Sequence, residues 1–349
     1  MLKLEDLINT VDLNALEERS SFAERRAIAE VFAGRINDIL EDREICSFED
    51  NFHDEIEDSP SDLENNGYMA LGEMLNKSQV IETLDHFHQS LCYNAHVVAK
   101  SDNVGRTFET GADKFPFGSY RQEDVIAAPY LLELANDPRV LARVARYLGC
   151  TPSLYSMNAW WSFPGQTSPD LLGQGIHRDE DDFKNCVLFL YLTDAKADTG
   201  AHEYLRGTHR QDLVREMLAN TSFPIVEIEK NGTQEKIIVE FEALFTGAGY
   251  DGDPVYKSLF GEQFDVIEGK PGSAFLSDTT GLHHGRPPKR DARLLVWIRY
   301  GLYRNRAYRN DKLVPVNYDW TTGRVVDDRR HHYINRLLLD GDRGSNNYR

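Results

Sequence analysis

The chain has 349 residues, a net charge of −18 and a hydrophobic content of 41%, a size that fits one elaborated domain or two modest ones. This hydrophobic content excludes a largely disordered chain. No apolar run approaches the length of about 18 residues that a membrane-spanning helix needs, and the first residues carry acids where a signal peptide needs bases. We therefore expect a soluble, cytoplasmic protein that does not act at a membrane.

The negative charge is concentrated in one segment. Residues 41–66 hold eleven acidic residues and one basic residue, which is more than half of the net charge of −18. We interpret this segment as a solvated connector, because it lacks the regular ligand spacing of a calcium-binding loop. The charge balance also argues against a nucleic-acid partner, which would require clustered lysine and arginine. The four cysteines have neither metal-binding spacing nor the pattern of a disulfide framework, which indicates a reducing compartment.

The first part of the chain predicts helices. Apolar residues recur near helical spacing over residues 11–40. A short strand is predicted after Gly67, followed by a helix from about Lys77 with one apolar face. A further helical passage is broken at Pro138 and ends at Gly149, which is a C-cap signal.

From residue 152 the pattern changes to short aromatic and aliphatic runs bounded by Gly, Pro, Asp or Asn, which predicts strands. The runs are SLYSMNAWWSF, NCVLFLYLTD, GSAFLSD and ARLLVWIRYGLY. Many short strands without alternating helices favour a sandwich or barrel over a doubly wound parallel sheet. Residues 211–265 interrupt this pattern and contain a predicted hairpin that turns at Asn231-Gly232. We interpret the insertion as a lid or substrate-recognition element, with structural decoration or an oligomer contact as the alternative.

One short motif has the residues of a metal site. Alternate residues of a strand project to the same face, so His177 and Asp179 can enter one cavity together. An imidazole and a carboxylate on one face are two ligands of a 2-His-1-carboxylate site, which leaves positions open on a divalent iron. The pattern His-x-Asp alone is weak, because a chain of this length can contain it by chance.

A third ligand is available from another predicted strand. His283 and His284 follow the run GSAFLSD, and only one of them is expected to bind because adjacent strand residues face opposite sides. Ten residues after His283 lies Arg293, whose guanidinium can bind a carboxylate with two hydrogen bonds deep in a barrel. The combination of these residues is far more specific than any one of them.

With these motifs the chain resembles the phytanoyl-CoA dioxygenase (PhyH-like) family of iron(II)/2-oxoglutarate-dependent oxygenases. The similarity covers about residues 66–305 with the insertion set aside. NGYMALGEMLNKSQVIETL is similar to the opening strand and helix of the family, and LANDPRVLARVARYLG to the helix before its barrel. VLFLYLTDAKADTGAHEYLRGTHR is similar to the strand and loop after His-x-Asp, with Thr208 where Ser is usual. GKPGSAFLSDTTGLHHG is similar to the strand that leads to the distal histidine.

The resemblance implies a mainly β fold with flanking helices and a double-stranded β-helix (jelly-roll, cupin-like) core. We assign residues 66–310 to this oxygenase domain, with the insertion at 211–265. Residues 1–65 are then an N-terminal helical extension with the acidic connector, and residues 311–349 are a C-terminal tail.

The resemblance also implies the roles of individual residues. His177, Asp179 and His283 are the implied iron(II) ligands and catalytic centre. His283 is preferred to His284 because the family motif reads Gly-apolar-His-x-Gly. Arg293 is the implied anchor for the distal carboxylate of 2-oxoglutarate, and the short spacing leaves Arg290 as a substitute.

The other pocket residues follow from strand alternation and from the face that the family turns toward cofactor or substrate. Asn158 and Trp160 share that face of one strand. Tyr191 is either a hydrogen-bond partner of 2-oxoglutarate or a buried core tyrosine. Gln174 is a weaker polar candidate, and we interpret His202 as a structural or pocket-rim residue.

The implied function is hydroxylation of a small-molecule substrate, with O2 as co-substrate and release of succinate and CO2. Asp179 argues against halogenation, because halogenating relatives have a small residue at that position. Desaturation, epimerisation and ring formation use the same chemistry and stay open. A cupin-like isomerase or hydrolase that uses the triad as a Lewis acid without 2-oxoglutarate is the alternative enzyme class, and a non-catalytic scaffold is the third hypothesis. The sequence carries no signal for an oligomeric state or for one particular substrate.

Overall fold

Two antiparallel sheets form the centre of the structure, which is a computed structural model. It describes residues 20, 22–40, 61–95, 104–165, 174–179, 181–210, 212–214, 216, 225–230, 232–238, 256, 260, 263–302 and 333–338. Its helices are α1 (Phe22–Leu40), α2 (Ser61–Asn66), α3 (Lys77–Gln89), α4 (Phe108–Gly111), α5 (Gln122–Ala127), α6 (Leu131–Ala135) and α7 (Pro138–Leu148), with a 3₁₀ turn at Ala112–Lys114. Its strands are β1 (Tyr68–Glu73), β2 (Cys92–Asn94), β3 (Phe117–Tyr120), β4 (Ser153–Ser162), β5 (Asn185–Tyr191), β6 (His202–Leu205), β7 (Ile225–Lys230), β8 (Thr233–Ile238), β9 (Phe264–Ile267), β10 (Ser273–Ser277), β11 (His283–Gly285) and β12 (Arg293–Gly301).

The strand order identifies the architecture. The larger sheet has the order β1-β10-β5-β12-β4-β3-β2 and the smaller one the order β11-β6-β9, with antiparallel neighbours throughout. His177 joins the smaller sheet through a bridge to His283. β4, β5, β10 and β12 lie in the larger sheet, and the His177 segment, β6, β9 and β11 lie in the smaller one. From β4 to β12 the chain crosses from one sheet to the other at each step except between β6 and β9, which pair with each other and are separated in the chain by the two-stranded β7–β8 sheet. This arrangement is a jelly roll, and the predicted double-stranded β-helix core is confirmed.

Apolar side chains from both sheets fill the interior of the jelly roll. They form one buried cluster of Val187, Phe189, Tyr191, Ala195, Ala201, Tyr204, Ile267, Phe275, Leu295 and Trp297. The intervening residues of β5 and β12, such as Leu188 and Val296, face the other way into the core shared with the helices. Because these two strands are buried on both faces, they read in the sequence as nearly continuous apolar runs.

The start of α3 at Lys77 and the end of α7 before Gly149 agree with the sequence prediction. Asn76 and Gln79 form a capping box at the start of α3. Asp137 caps α7, which begins with Pro138, and Gly149 ends this helix with a left-handed φ of 82°. α7 contacts β5, so these caps fix the helix that covers the outer face of the sheet at its centre.

Both terminal segments pack on the same core. α1 contributes Ala29, Phe32, Ala33 and Ile36 to the hydrophobic cluster, and residues 333–338 contribute Tyr333, Ile334 and Leu338. The side-chain amides of Asn335 and Asn136 hydrogen-bond to each other at 2.7 and 3.2 Å. Within the segment predicted to be a connector, Ser61–Asn66 is helical, because Leu63 is buried and its carbonyl accepts a hydrogen bond from Gly67.

Several predicted segments lie outside the described residues. These are the start of the first predicted helix, the acidic segment 41–60, most of the insertion and most of the C-terminal tail. The predicted hairpin in the insertion is confirmed, since β7 pairs with β8 and Lys230 lies opposite Thr233. None of the helices among the described residues has the length and apolarity needed to cross a bilayer.

Gly272 connects the β9–β10 turn to the segment after β1 through main-chain hydrogen bonds, and its replacement is expected to destabilise the fold. It has a φ of +90° and accepts main-chain hydrogen bonds from Met74 (2.8 Å) and Leu75 (3.2 Å), and an added Cβ would overlap the carbonyl oxygen of Leu75. Gly272→Ala is expected to lower the free energy of unfolding by roughly 2–4 kcal/mol in urea titrations.

Gly72→Ala is the matched control. Gly72 also has a positive φ, +73°, but open space surrounds the position of its Cβ. Its replacement is expected to cost only about 1 kcal/mol, the price of the backbone conformation alone. Equal losses for the two variants would contradict the importance of the contact between Gly272 and Leu75.

Candidate metal centre and barrel interior

His177, Asp179 and His283 bring three potential metal ligands together inside the jelly roll. One ligand atom from each lies within 4.8 Å of the others. His177 Nε2 is 3.7 Å from Asp179 Oδ1, and His283 Nε2 is 3.9 Å from Asp179 Oδ2. Two imidazole nitrogens and a carboxylate oxygen on one face are the donor set that holds divalent iron with open coordination positions.

Main-chain hydrogen bonds set the positions of these three residues. His177 and His283 exchange a reciprocal pair of N–H to carbonyl bonds, both at 3.0 Å. The main-chain nitrogen of Asp179 donates to the carbonyl of Thr279 at 2.8 Å. The segment with His-x-Asp is therefore aligned along β11 and the turn before it, which brings motifs about a hundred residues apart onto one face.

Hydrogen bonds at the far side of each imidazole orient the two histidines. His177 Nδ1 lies 2.8 Å from the carbonyl oxygen of Gly175, and His283 Nδ1 lies 2.9 Å from that of Gly281. Since a carbonyl only accepts, Nδ1 carries the proton and Nε2 presents its lone pair to the cluster. Burial and the neighbouring His177 lower the pKa of His283 to about 3, which keeps the ring neutral, as metal binding requires.

The carboxylate ligand is held in its charged form. Burial alone would raise the pKa of Asp179, but the neighbouring His283, Arg299 and His177 outweigh it and lower the pKa below the ordinary value. Arg299 Nη2 lies 3.7 Å from Asp179, and Arg299 Nε lies 3.0 Å from Asp181. The sequence interpretation did not identify Arg299, although strand alternation on β12 puts it on the same face as Arg293.

His284 faces away from the triad and is engaged elsewhere. Its Nε2 lies 2.6 Å from Glu203 Oε2, and its Nδ1 lies 2.7 Å from the carbonyl oxygen of Gln174. Arg286 donates to the other oxygen of Glu203 at 3.1 Å. Both nitrogens of His284 are therefore occupied, and the geometry supports His283 as the residue that could bind a metal.

Arg293 is a buried guanidinium, only 6% exposed, whose charge meets no carboxylate among the described residues. It donates to the carbonyl of Gly200 and, at 3.0 Å, to Ser162 Oγ, while its Nε has no hydrogen-bond partner in the described part of the chain. Burial lowers its pKa. Arg290 differs, since it is exposed and pairs with Asp198 at 2.8 Å. Arg293 is therefore the buried guanidinium of the two, whereas Arg290 forms an ion pair at the surface.

Asn158 and Trp160 lie on the interior face of β4, as strand alternation predicts. Asn158 is opposite Trp297, and Trp160 is opposite Leu295, and both of these partners belong to the interior cluster. The rings of Trp160 and Trp297 meet edge to face with centroids 4.9 Å apart. Asn158 and Trp160 are both only half-buried, so they can contact a ligand in the interior.

Tyr191 has its hydroxyl group occupied by the main chain. It donates to the carbonyl of Ile267 at 2.7 Å and accepts from the nitrogen of His202 at 2.9 Å. Burial raises the pKa of the hydroxyl well above its ordinary value. These contacts match the core interpretation of Tyr191, which the sequence left open beside the ligand role.

Gln174 has a buried side-chain amide. The residue is 1% exposed, and neither its Nε2 nor its Oε1 has a hydrogen-bond partner among the described residues. An unsatisfied buried amide costs roughly 1–3 kcal/mol unless a ligand or water completes it. This observation strengthens Gln174 as a candidate for ligand contact.

His202 lies inside the jelly roll rather than at a rim. Its ring centroid is 5.3 Å from that of His283 and 4.7 Å from that of Phe189, and its Nε2 has no partner in the described region. Alternation along β6 puts His202 and Tyr204 on the same face, which is the signal that could have placed it beside the triad from the sequence.

A buried polar cluster supports the turn that leads into β11. One carboxylate oxygen of Asp278 accepts from the nitrogen (2.9 Å) and the hydroxyl (2.6 Å) of Thr280, and the other accepts from the hydroxyl of Tyr147. The hydroxyl of Tyr204 donates to the carbonyl of Asp278 at 2.8 Å. The turn that positions His283 is thus anchored to α7 and to the smaller sheet.

Comparison with known proteins gives matches of fold only. No protein-family model and no curated protein matches the chain. The epimerase SnoN in complex with Fe³⁺, alpha ketoglutarate and nogalamycin RO is 11% identical over 74% of this chain and 90% of its own, with a TM-score of 0.42. The alpha ketoglutarate-dependent carbocyclase SnoK from nogalamycin biosynthesis is 12% identical over 70% and 83%, with a TM-score of 0.41. HygX from Streptomyces hygroscopicus, with nickel and 2-oxoglutarate bound, is 14% identical over 68% and 84%, with a TM-score of 0.41.

The two adjacent histidines of β11 should respond differently to substitution. His283→Ala is expected to weaken binding of Co²⁺ or Fe²⁺ by more than roughly a hundredfold, because it removes a ligand. His284→Ala is expected to retain metal binding within about tenfold while lowering stability, because it leaves Glu203 without one partner. Calorimetric titration of the full chain measures both, and loss of binding only in His284→Ala would reverse the assignment.

His209 predicts a pH dependence of stability. Burial lowers its pKa to about 4, and its Nε2 donates to the carbonyl of Glu64 at 2.8 Å. The unfolded chain takes up this proton near pH 6.5 and the folded chain only near pH 4, so the free energy of unfolding falls as the pH falls through this window, by about 3 kcal/mol from this residue.

The variant His209→Gln tests the contribution of His209 to this pH dependence, because glutamine can still donate a hydrogen bond to the carbonyl of Glu64 but does not titrate. Between pH 6.5 and pH 4 it is expected to lose stability less steeply than the wild type, in urea titrations with a chelator present. Identical slopes for the two proteins would show that His209 titrates normally in the fold.

Proposed function

We propose that the protein is an iron(II)/2-oxoglutarate-dependent oxygenase of the phytanoyl-CoA dioxygenase type that hydroxylates a small molecule. One observation carries this proposal. A single jelly-roll interior contains both an open His-Asp-His triad and the buried guanidinium of Arg293, which no carboxylate of the described residues neutralises. A bound metal would account for the triad but not for the buried guanidinium. A small molecule that binds the metal at one end and carries a carboxylate at the other would account for both.

The residues present fit iron(II) and a 2-oxo diacid. His177, Asp179 and His283 would hold the iron, and Arg293 would hold the carboxylate at the other end of the 2-oxo acid. Together with O2, this pair supplies oxidative decarboxylation to succinate and CO2, coupled to oxidation of a substrate C–H bond. The chemistry belongs to the cofactor pair, and the chain supplies orientation and a dry interior.

The surrounding residues keep the ligand set ready for the metal. The Nδ1 hydrogen bonds of His177 and His283 hold each ring in the tautomer that binds through Nε2. Arg299 and the hydroxyl of Thr279 favour the charged form of Asp179. No reorganisation of these groups is needed when a metal enters, which favours tight binding.

Interior residues give the rest of the proposed site its shape. The aromatic rings of Trp160 and Trp297 form an apolar wall, and the amides of Asn158 and Gln174 add polar contacts for the co-substrate or substrate. Tyr191 contributes its aromatic ring to this wall, because its hydroxyl group already forms hydrogen bonds with the main chain.

The outcome of the reaction is proposed to be hydroxylation rather than halogenation. A halide on iron needs the coordination position that a third protein ligand fills, and Asp179 fills that position in the triad. A product heavier by one oxygen atom is the expected readout. A product that has lost two hydrogens, or has the substrate's own mass, would instead identify desaturation or epimerisation by the same cofactor pair.

Anaerobic titration of the full chain with iron(II) and 2-oxoglutarate is the direct test. We expect a weak visible metal-to-ligand charge-transfer band in the wild type and none in His177→Ala or Asp179→Ala. Arg293→Ala should weaken 2-oxoglutarate binding by about a hundredfold, because it removes a buried charge-assisted contact. Arg290→Ala is the matched control and should change it less than about twofold, because it breaks only an exposed pair.

The other outcomes separate the remaining enzyme classes. Metal binding without the band, and without any effect of Arg293→Ala, would replace the proposal by a Lewis-acid enzyme that does not use 2-oxoglutarate. A protein that binds neither metal nor 2-oxoglutarate would be a scaffold. A positive result would be followed by a substrate screen in which succinate release is measured.

A further inference from the structure

His202 is a buried imidazole that none of the roles proposed above uses. It is 3% exposed and lies on the interior face of β6. Its ring stacks on that of His283, with centroids 5.3 Å apart and an angle of 20°, and also contacts Phe189 and Phe275. His202 is therefore next to the metal ligands, although its nitrogens are not part of the triad.

The strand neighbours of His202 contact Arg293. In the smaller sheet His202 is paired with Gly285, and a Cβ on Gly285 would lie 3.0 Å from Nη1 of Arg293. Arg293 also donates to the carbonyl of Gly200, two residues before His202. His202 thus stacks on His283 and is paired with the glycine that lies against the guanidinium of Arg293.

The Nε2 atom of His202 has no hydrogen-bond partner among the residues that the structure describes. It is fully buried, and no described residue forms a hydrogen bond with it. Buried polar atoms in native proteins almost always have a partner, which is either protein, water or a ligand. The aromatic contacts of the ring account for its packing but leave this nitrogen unexplained.

The chemistry of an imidazole suits a position near the guanidinium of Arg293. A neutral imidazole carries one N–H, which can be donated to an oxygen atom without adding a second buried positive charge beside Arg293.

We propose that His202 donates a hydrogen bond from Nε2 to the distal carboxylate of the 2-oxo acid, and so acts with Arg293 as a second anchor for that group. This inference rests on the proposed function, since it assigns a residue to the co-substrate of the same site. It makes His202 a determinant of the preference for 2-oxo acids that carry a second carboxylate. The residue binds the co-substrate and takes no part in the coordination of the metal.

The test compares two 2-oxo acids of equal chain length under anaerobic conditions with iron(II). 2-Oxoglutarate has the distal carboxylate, and 2-oxopentanoate lacks it but chelates through the same 2-oxo acid group. His202→Leu is expected to weaken binding of 2-oxoglutarate about ten- to hundredfold and to change binding of 2-oxopentanoate and of iron(II) less than about twofold. His202→Gln, which keeps an N–H near the position of Nε2, should recover most of the affinity for 2-oxoglutarate.

His88→Leu is the matched control. His88 is half-buried and, like His202, lies against aromatic rings, those of Phe108 and Trp161, but it is on α3 outside the jelly-roll interior. The affinities for both 2-oxo acids should be unchanged in this variant. Should His202→Leu fail to fold, His202→Phe keeps a planar ring against Phe189 and Phe275 and serves in the same comparison.

The outcomes separate this inference from the proposed function. A wild type that binds 2-oxoglutarate, together with variants of His202 that lose no affinity for it or lose equal affinity for both acids, overturns the role of His202 alone. A loss of iron(II) affinity in His202→Leu also overturns it, because the residue would then act at the metal. A wild type that binds iron(II) but neither acid overturns the proposed function and this inference with it.

Discussion

The reciprocal main-chain hydrogen bonds between His177 and His283 are the constraint on which the site depends. They attach the short segment around His177 to β11 of the smaller sheet. The two residues that form these bonds are the same ones whose imidazoles converge. The hydrogen bond from the main-chain nitrogen of Asp179 to the carbonyl of Thr279 then places the carboxylate beside the two imidazoles. The three side chains therefore come together only when the jelly roll has closed, so metal binding by this set would be coupled to folding.

Charge inside this interior is arranged by burial and by neighbours. Arg299 stabilises the anionic form of Asp179 near the triad, whereas Arg293 meets no carboxylate among the described residues. Burial lowers the pKa of both His202 and His283, which favours their neutral forms. A site with one balanced and one unbalanced guanidinium favours an anionic ligand at the second, because a buried charge is costly without a counter-charge.

Periodicity and end signals were sufficient to predict the helices α3 and α7 and the buried strands, since local patterns determine these elements. The three triad residues could be named from the sequence because each lies in a short motif, although the two motifs are about a hundred residues apart. The positions of His202 and Arg299 beside the triad were not predicted, because they depend on which strands become neighbours across the two sheets. The same holds for the unsatisfied amide of Gln174, since lack of a partner is a property of the folded interior and no local pattern encodes it.

The packing of both terminal segments has a consequence for how the molecule unfolds. Phe32 and Ile36 of α1 and Ile334 near the other terminus share one hydrophobic core with the helices that cover the larger sheet. The limits of the oxygenase-like region in the sequence are therefore not the limits of its cooperative unit. A protease that removed Phe22–Leu40 or residues 333–338 would expose apolar surface on the helices that cover the larger sheet, so these segments shield that core from solvent.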